Sequence, residues 1–130
     1  MILDTTFLVD IMRKDEKACL KFQTLKEKGE TTFISSVSVF ELHSGLACSG
    51  KSVSEQNKVK EVLDSQIIIS MDITLAEKAG DIHGTLITQG QMIGSMDCLI
   101  AATALLNGET VLTRIVKDFQ KIHGLKVETY

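Results

Sequence analysis

With 130 residues, 44% of them hydrophobic and 24% charged, the chain has the composition of an ordinary globule and is expected to form a single domain over residues 1–130. That length suffices to bury roughly two-thirds of the unfolded surface. Fourteen Lys and Arg against seventeen Asp and Glu leave a net charge of −3, which argues against a globally basic nucleic-acid binder but leaves room for a local patch.

The first dozen residues organise the rest. Ile2 and Leu3 form a short apolar run that stops at Asp4, and Phe7, Leu8, Ile11 and Met12 then recur at helical spacing. A strand therefore gives way to a helix across Asp4–Thr6. Asp4 has two readings there: a cap for the new helix, or a ligand-facing acid at the carboxyl end of a strand. Asp15 to Lys28 reads as an amphipathic helix closed by Gly29, and Thr31–Ile34 as a second strand. Ser35 and Ser36 cap a helix from Val37 to Ser49, on which Val37, Phe40, Glu41 and Ser44 share the expected inward stripe.

Gly50 to Ser54 is a polar linker and Glu55 to Ser65 a further helix. The uninterrupted run Gln66–Ile69 predicts a strand buried on both faces. Asp72 to Gln89 predicts a long helix using Leu75, Ala79, Ile82, Leu86 and Ile87, with Gly80 and Gly84 permitting close helix packing. After the loop Gly90–Gly94 comes a helix from Ser95 to Asn107, ended by Gly108. Val111–Thr113 is a strand, Val116–Ile122 a helical turn and Leu125–Thr129 a last β segment. Helices alternating with short apolar strands imply a three-layer α/β fold around a mostly parallel sheet of four to five strands.

Cys19, Cys48 and Cys98 have neither CxxC nor metal-type spacing, and His43, His83 and His123 are scattered without an HExxH. No apolar run reaches spanning length, and a strand starting at Met1 leaves no room for a leader, so a cytoplasmic protein without membrane contact is expected. Acids are the informative residues instead. Asp97 stands in the first turn of a helix whose own face is small and apolar, either as a partner of the helix N-terminus or as a ligand at the sheet's rim. Asp118 follows the strand ending at Thr113 by one turn. If the topology gathers Asp4, Glu41, Asp97 and Asp118, the carboxylates repel one another unless a cation compensates. Oxygen donors without His or Cys suit magnesium or manganese, which activate water and stabilise in-line displacement at phosphorus. Thr5, Thr6 and Thr113 either orient a water or phosphate oxygen or serve only as turn and cap residues. Arg114 or Lys117 is either a phosphate contact or a solvated charge.

The segments ILDTTFLVD, SVSVFELHSG, GSMDCLIAATAL and LTRIVKDFQKI…LKVETY occur in an order that resembles the PIN-domain ribonucleases of the VapC toxin type, over nearly the whole chain. The resemblance implies a PIN fold and magnesium- or manganese-dependent cleavage of RNA. It places the first three acids on Asp4, Glu41 and Asp97. Relatives often carry Asn or Asp where this chain has Ile115, so the fourth role falls on Asp118; many also have an acid where Ser95 stands. It further implies a homodimer silenced by a VapB-like antitoxin. Two phosphotransfer families fit less well. HAD phosphatases need a second Asp where Thr6 stands, and response-regulator receivers need an acid beside Asp4. The alternative from another class is a PIN-fold binding module that has lost catalysis.

Overall fold

The two buried side chains of the first strand set the layers. A computed structural model describes residues 1–130, with β1 at Ile2–Leu3, β2 at Phe33–Ser35, β3 at Ile67–Ile69, β4 at Thr110–Leu112 and β5 at Lys126–Glu128. All pair in parallel, in the order β3-β2-β1-β4-β5, with Ile2 opposite Phe33 and Val111, and Leu3 opposite Leu112. Successive strand side chains point to opposite faces, so Ile2 and Val111 enter one core while Leu3, Ile34 and Leu112 enter the other.

Seven helices cover these faces: α1 (Thr5–Met12), α2 (Glu16–Glu27), α3 (Ser36–Cys48), α4 (Val53–Asp64), α5 (Ile73–Thr88), α6 (Ser95–Asn107) and α7 (Val116–Phe119). Phe7, Leu25, Leu42 and Val59 bring α1 to α4 onto the Leu3 side, and Leu86, Ile100 and Phe119 bring α5 to α7 onto the Ile2 side. The anticipated three-layer α/β architecture is present. Local chemistry sets the helix ends. Asp15, Ser52 and Asp72 accept hydrogen bonds from the N–H groups of Ala18, Glu55 and Leu75 at 3.0, 3.2 and 2.8 Å. The Ser52 cap starts α4 at Val53, two residues before the expected Glu55. Gly108 closes α6 at φ +65°, in the left-handed region that favours glycine.

Several expectations are corrected. The run Ile67–Ile69 is not buried on both faces: β3 is one of the two edge strands, and Ile67 and Ile68 are 56% and 42% exposed. Its isoleucines reflect β-branched strand preference rather than double burial. Gly80 and Gly84 do not permit close packing, because a Cβ at either position would meet nothing within 4 Å. Helix α5 instead meets α6 through Leu75, Ala79 and Ala102. Ile87 is exposed beyond that contact. Phe40 is also exposed, and the buried stripe of α3 runs through Val37, Ser38, Leu42 and Leu46.

The last helical turn is short. Helix α7 ends at Phe119, four residues after it begins, and its hold on the body is the fully buried Phe119 ring. Phe119→Ala is expected to lower unfolding free energy by about 3–5 kcal/mol, measured by denaturant titration. A loss below about 1 kcal/mol would mean that the site closes over the missing ring without a cavity.

Candidate active site

Strand order places the site. From β1 the chain proceeds outward through β2 to β3, then resumes on the other side of β1 with β4 and β5. The crevice at such a reversal, beyond the carboxyl ends of β1 and β4, is where open α/β sheets bind ligands. Asp4 follows β1 there and Thr113 follows β4, and the Asp4 N–H still donates to Leu112 O at 3.0 Å.

Asp4 occupies the N-cap position of α1 but makes no capping hydrogen bond with its side chain. Its Oδ2 accepts the hydroxyls of Thr6 at 2.6 Å and Thr113 at 2.7 Å, and the residue is only 2% exposed. The simple capping reading is therefore set aside. Both threonines also accept main-chain donors: Arg114 N–H lies 3.3 Å from Thr6 Oγ1, and Ile115 N–H lies 2.9 Å from Thr113 Oγ1.

Glu41 reaches the same end of the sheet from α3. The Thr5 hydroxyl lies 2.6 Å from Glu41 Oε1 and 2.9 Å from Ser38 Oγ. Carrying one proton, it donates to the carboxylate and accepts from the serine. Each of the three threonines thus holds an acid or the turn beside it.

Asp97 sits in the first turn of α6, partly buried, and accepts no hydrogen bond from any protein group. Its carboxyl is pushed up to about 6 by burial first, then by the charges of Asp4, Glu41 and Asp118. The other three acids singled out from the sequence therefore all act on the charge of Asp97. Asp118 lies at the margin, its Oδ1 3.0 Å from Lys121 Nζ. The convergence is electrostatic rather than a closed cage: no three acid, His or Cys side chains are close enough to grip one ion. The neighbouring Cys98 thiol is raised by burial and by the charge of Asp97, which keeps it a neutral core group.

One polar cluster beside the site was missed by sequence reasoning. Asp10, 4% exposed on α1, receives Arg114 Nη1 at 3.0 and 2.9 Å and the Tyr130 hydroxyl at 2.7 Å. Tyr130 packs edge-on against Phe7 with ring centroids 4.8 Å apart. Burial and the bond to Asp10 raise its hydroxyl above the usual phenol range. Arg114, weighed as a phosphate contact or a solvated charge, is committed to Asp10. Lys117 is exposed and makes no ion pair. The available signal was Asp10 itself, an acid inside the apolar run Phe7–Met12.

An all-parallel sheet covered by helices on both faces, with acids beyond its central strands, is the architecture expected of a PIN domain. Residues 1–122 match the family described as PIN domain, and the chain belongs to that family, in its VapC branch. Ribonuclease VapC2 of Rickettsia felis is 30% identical over 129 residues, covering 99% of this chain and 96% of that one. A tRNA(fMet)-specific endonuclease VapC of Shigella flexneri is 32% identical over 99 residues, covering 75% and 74%. The crystal structure of VapBC2 from Rickettsia felis bound to a DNA fragment from their promoter matches with TM-score 0.89 and 28% identity, over 99% of this chain and 97% of that one. No helix of the protein is long and apolar enough to cross a membrane.

Proposed function

We propose that this protein is a divalent-metal-dependent endoribonuclease, the toxin member of a VapBC-type pair, with Asp4, Glu41, Asp97 and Asp118 as its acidic site. The carrying observation is Asp97, a carboxylate partly withdrawn from water, unpaired, and facing three further acids. Burying an anion without a donor or cation is unfavourable, so the arrangement is suited to a positive guest.

The donor set fits a hard cation. It contains carboxylate and hydroxyl oxygens and no histidine, and the neighbouring Cys98 thiol is buried in the core. Magnesium, which retains several of its waters, tolerates acids that do not close into a cage; manganese suits the same donors. When bound, the ion lowers the pKa of a coordinated water and offsets charge on the scissile phosphate. The chain's part is to present the acids. Asp4 offers Oδ1, because its other oxygen is taken by two hydroxyls; Thr5 fixes Glu41; Asp97 supplies an uncommitted carboxylate. Asp118, tied to Lys121, stands at the rim.

RNA as substrate and a VapB-like antitoxin as partner are supported by the names of the similar proteins. The charge of the site gives a physical reason for the second: a partner's Arg or Lys placed among these acids would be well paired. A homodimer belongs to the same proposal, and the exposed apolar residues Ile67, Ile68, Met71 and Ile73 offer it a surface.

The test is incubation of the purified protein with mixed cellular RNA, with Mg2+ or Mn2+ and with EDTA, followed by mapping of the new ends. Discrete internal cuts that vanish with EDTA are expected. Cleavage indifferent to EDTA would overturn the metal assignment. Absence of cleavage with either ion would favour a binding module over an enzyme.

A further inference from the structure

The turn after β4 touches Asp4 only through two threonines, yet it supplies a main-chain donor to each of their hydroxyls. A hydroxyl has one hydrogen to give. Thr6 accepts from Arg114 N–H and Thr113 from Ile115 N–H while each hydroxyl donates to Asp4 Oδ2, and the two hydroxyl oxygens lie 3.4 Å apart. Displacing residues 113–115 would release those protons and leave the carboxylate free to rotate. What anchors the turn from the side is the Arg114 guanidinium, laid across both oxygens of buried Asp10, whose Oδ2 also receives the Tyr130 hydroxyl.

We propose that Asp10, Arg114 and Tyr130 are positioning residues that hold the turn after β4, so that Asp4 keeps one oxygen occupied and presents the other to the cation. This rests on the metal-dependent reading above. A purely structural account would treat the cluster as a clamp for the C-terminal segment. The geometry goes further, because the same residue that pairs with Asp10 donates its main-chain N–H to the hydroxyl on Asp4. The Arg114 side chain is 57% exposed, and an ion pair so open to water contributes little to stability by itself. Its effect is directional: groups that orient a metal ligand commonly change affinity by about 10–100-fold when removed.

The experiment measures Mn2+ binding by calorimetry on the full chain without RNA, alongside melting temperature and steady-state RNA cleavage. Arg114→Ala is expected to weaken Mn2+ binding about tenfold, and to lower kcat at limiting metal with KM for RNA unchanged. Arg114→Lys keeps a donor to Asp10 and should recover most of the affinity. Should Arg114→Ala fail to fold, Tyr130→Phe removes a single hydroxyl and should still weaken Mn2+ binding by about 3-fold. Variants that melt earlier yet bind Mn2+ as tightly as the wild type would overturn the inference alone. A wild type that binds no Mn2+ would remove the proposed function and this inference together.

Discussion

Asp97→Asn should abolish RNA cleavage while making the metal-free protein more stable at neutral pH. Loss of a direct metal contact is expected to cost about 100-fold or more in rate, at or above the top of the range for groups that merely orient one. The stability gain follows from the carboxyl's raised pKa. A carboxyl held near 6 in the fold and near 3.8 in the unfolded chain binds its proton more tightly when folded. Its stabilising contribution is therefore complete below the lower value and is lost as pH rises through the upper one. Asparagine has no proton to lose. Metal-free wild type and variant should thus agree in unfolding free energy below about pH 4 and diverge up to about pH 6. At pH 7 the variant should lead by on the order of 1 kcal/mol, after allowance for solvent screening of a partly exposed group. Denaturant titrations in EDTA at several pH values measure this. A variant less stable than wild type at pH 7 would show that Asp97 is held by an interaction other than repulsion among the acids.

The second large effect is expected from the metal. A ligand that binds only the folded state at about one hundred times its dissociation constant stabilises by ~2.7 kcal/mol. For a chain of this size that corresponds to a rise in Tm on the order of 10 °C. Mg2+ or Mn2+ should produce such a rise, and Asp4→Asn should remove it with little loss of fold. The asparagine carbonyl can still accept from Thr6 and Thr113, so the substitution deletes charge while keeping the hydrogen-bonded frame. Differential scanning calorimetry with and without metal decides the point. An undiminished rise in the variant would place the ion elsewhere.

What the sequence disclosed depended on how local the signal was. Asp4 was legible because Ile2 and Leu3 end abruptly in an acid before a helical spacing begins. Asp97 was legible because it stands alone on the small, apolar face of α6, whose ends at Ser95 and Asn107 were also read correctly. The exposure of β3 was not, since burial of an isoleucine run depends on strand order, and nothing within Gln66–Ile69 says that β2 is its only neighbour. Phe40 misled for a related reason: periodicity gives a stripe but not which side of it meets the sheet. The cluster at Asp10 joins residues 104 and 120 positions apart along the chain, beyond any pattern in a short window. Long-range placement decided these misses, whereas the earlier start of α4 came from the local Ser52 cap.

The central position of β1 governs when the site can exist at all. Its two neighbours are made at very different times: β2 follows within some thirty residues, but β4 spans Thr110–Leu112. Asp4 acquires its Thr113 partner only once that late segment has left the ribosome and slotted in beside the earliest one. A half-translated copy therefore carries Asp4 and Glu41 but neither Asp97 nor Asp118, and leaves β1 at the edge of its sheet. The four acids can meet only once the chain is almost fully made.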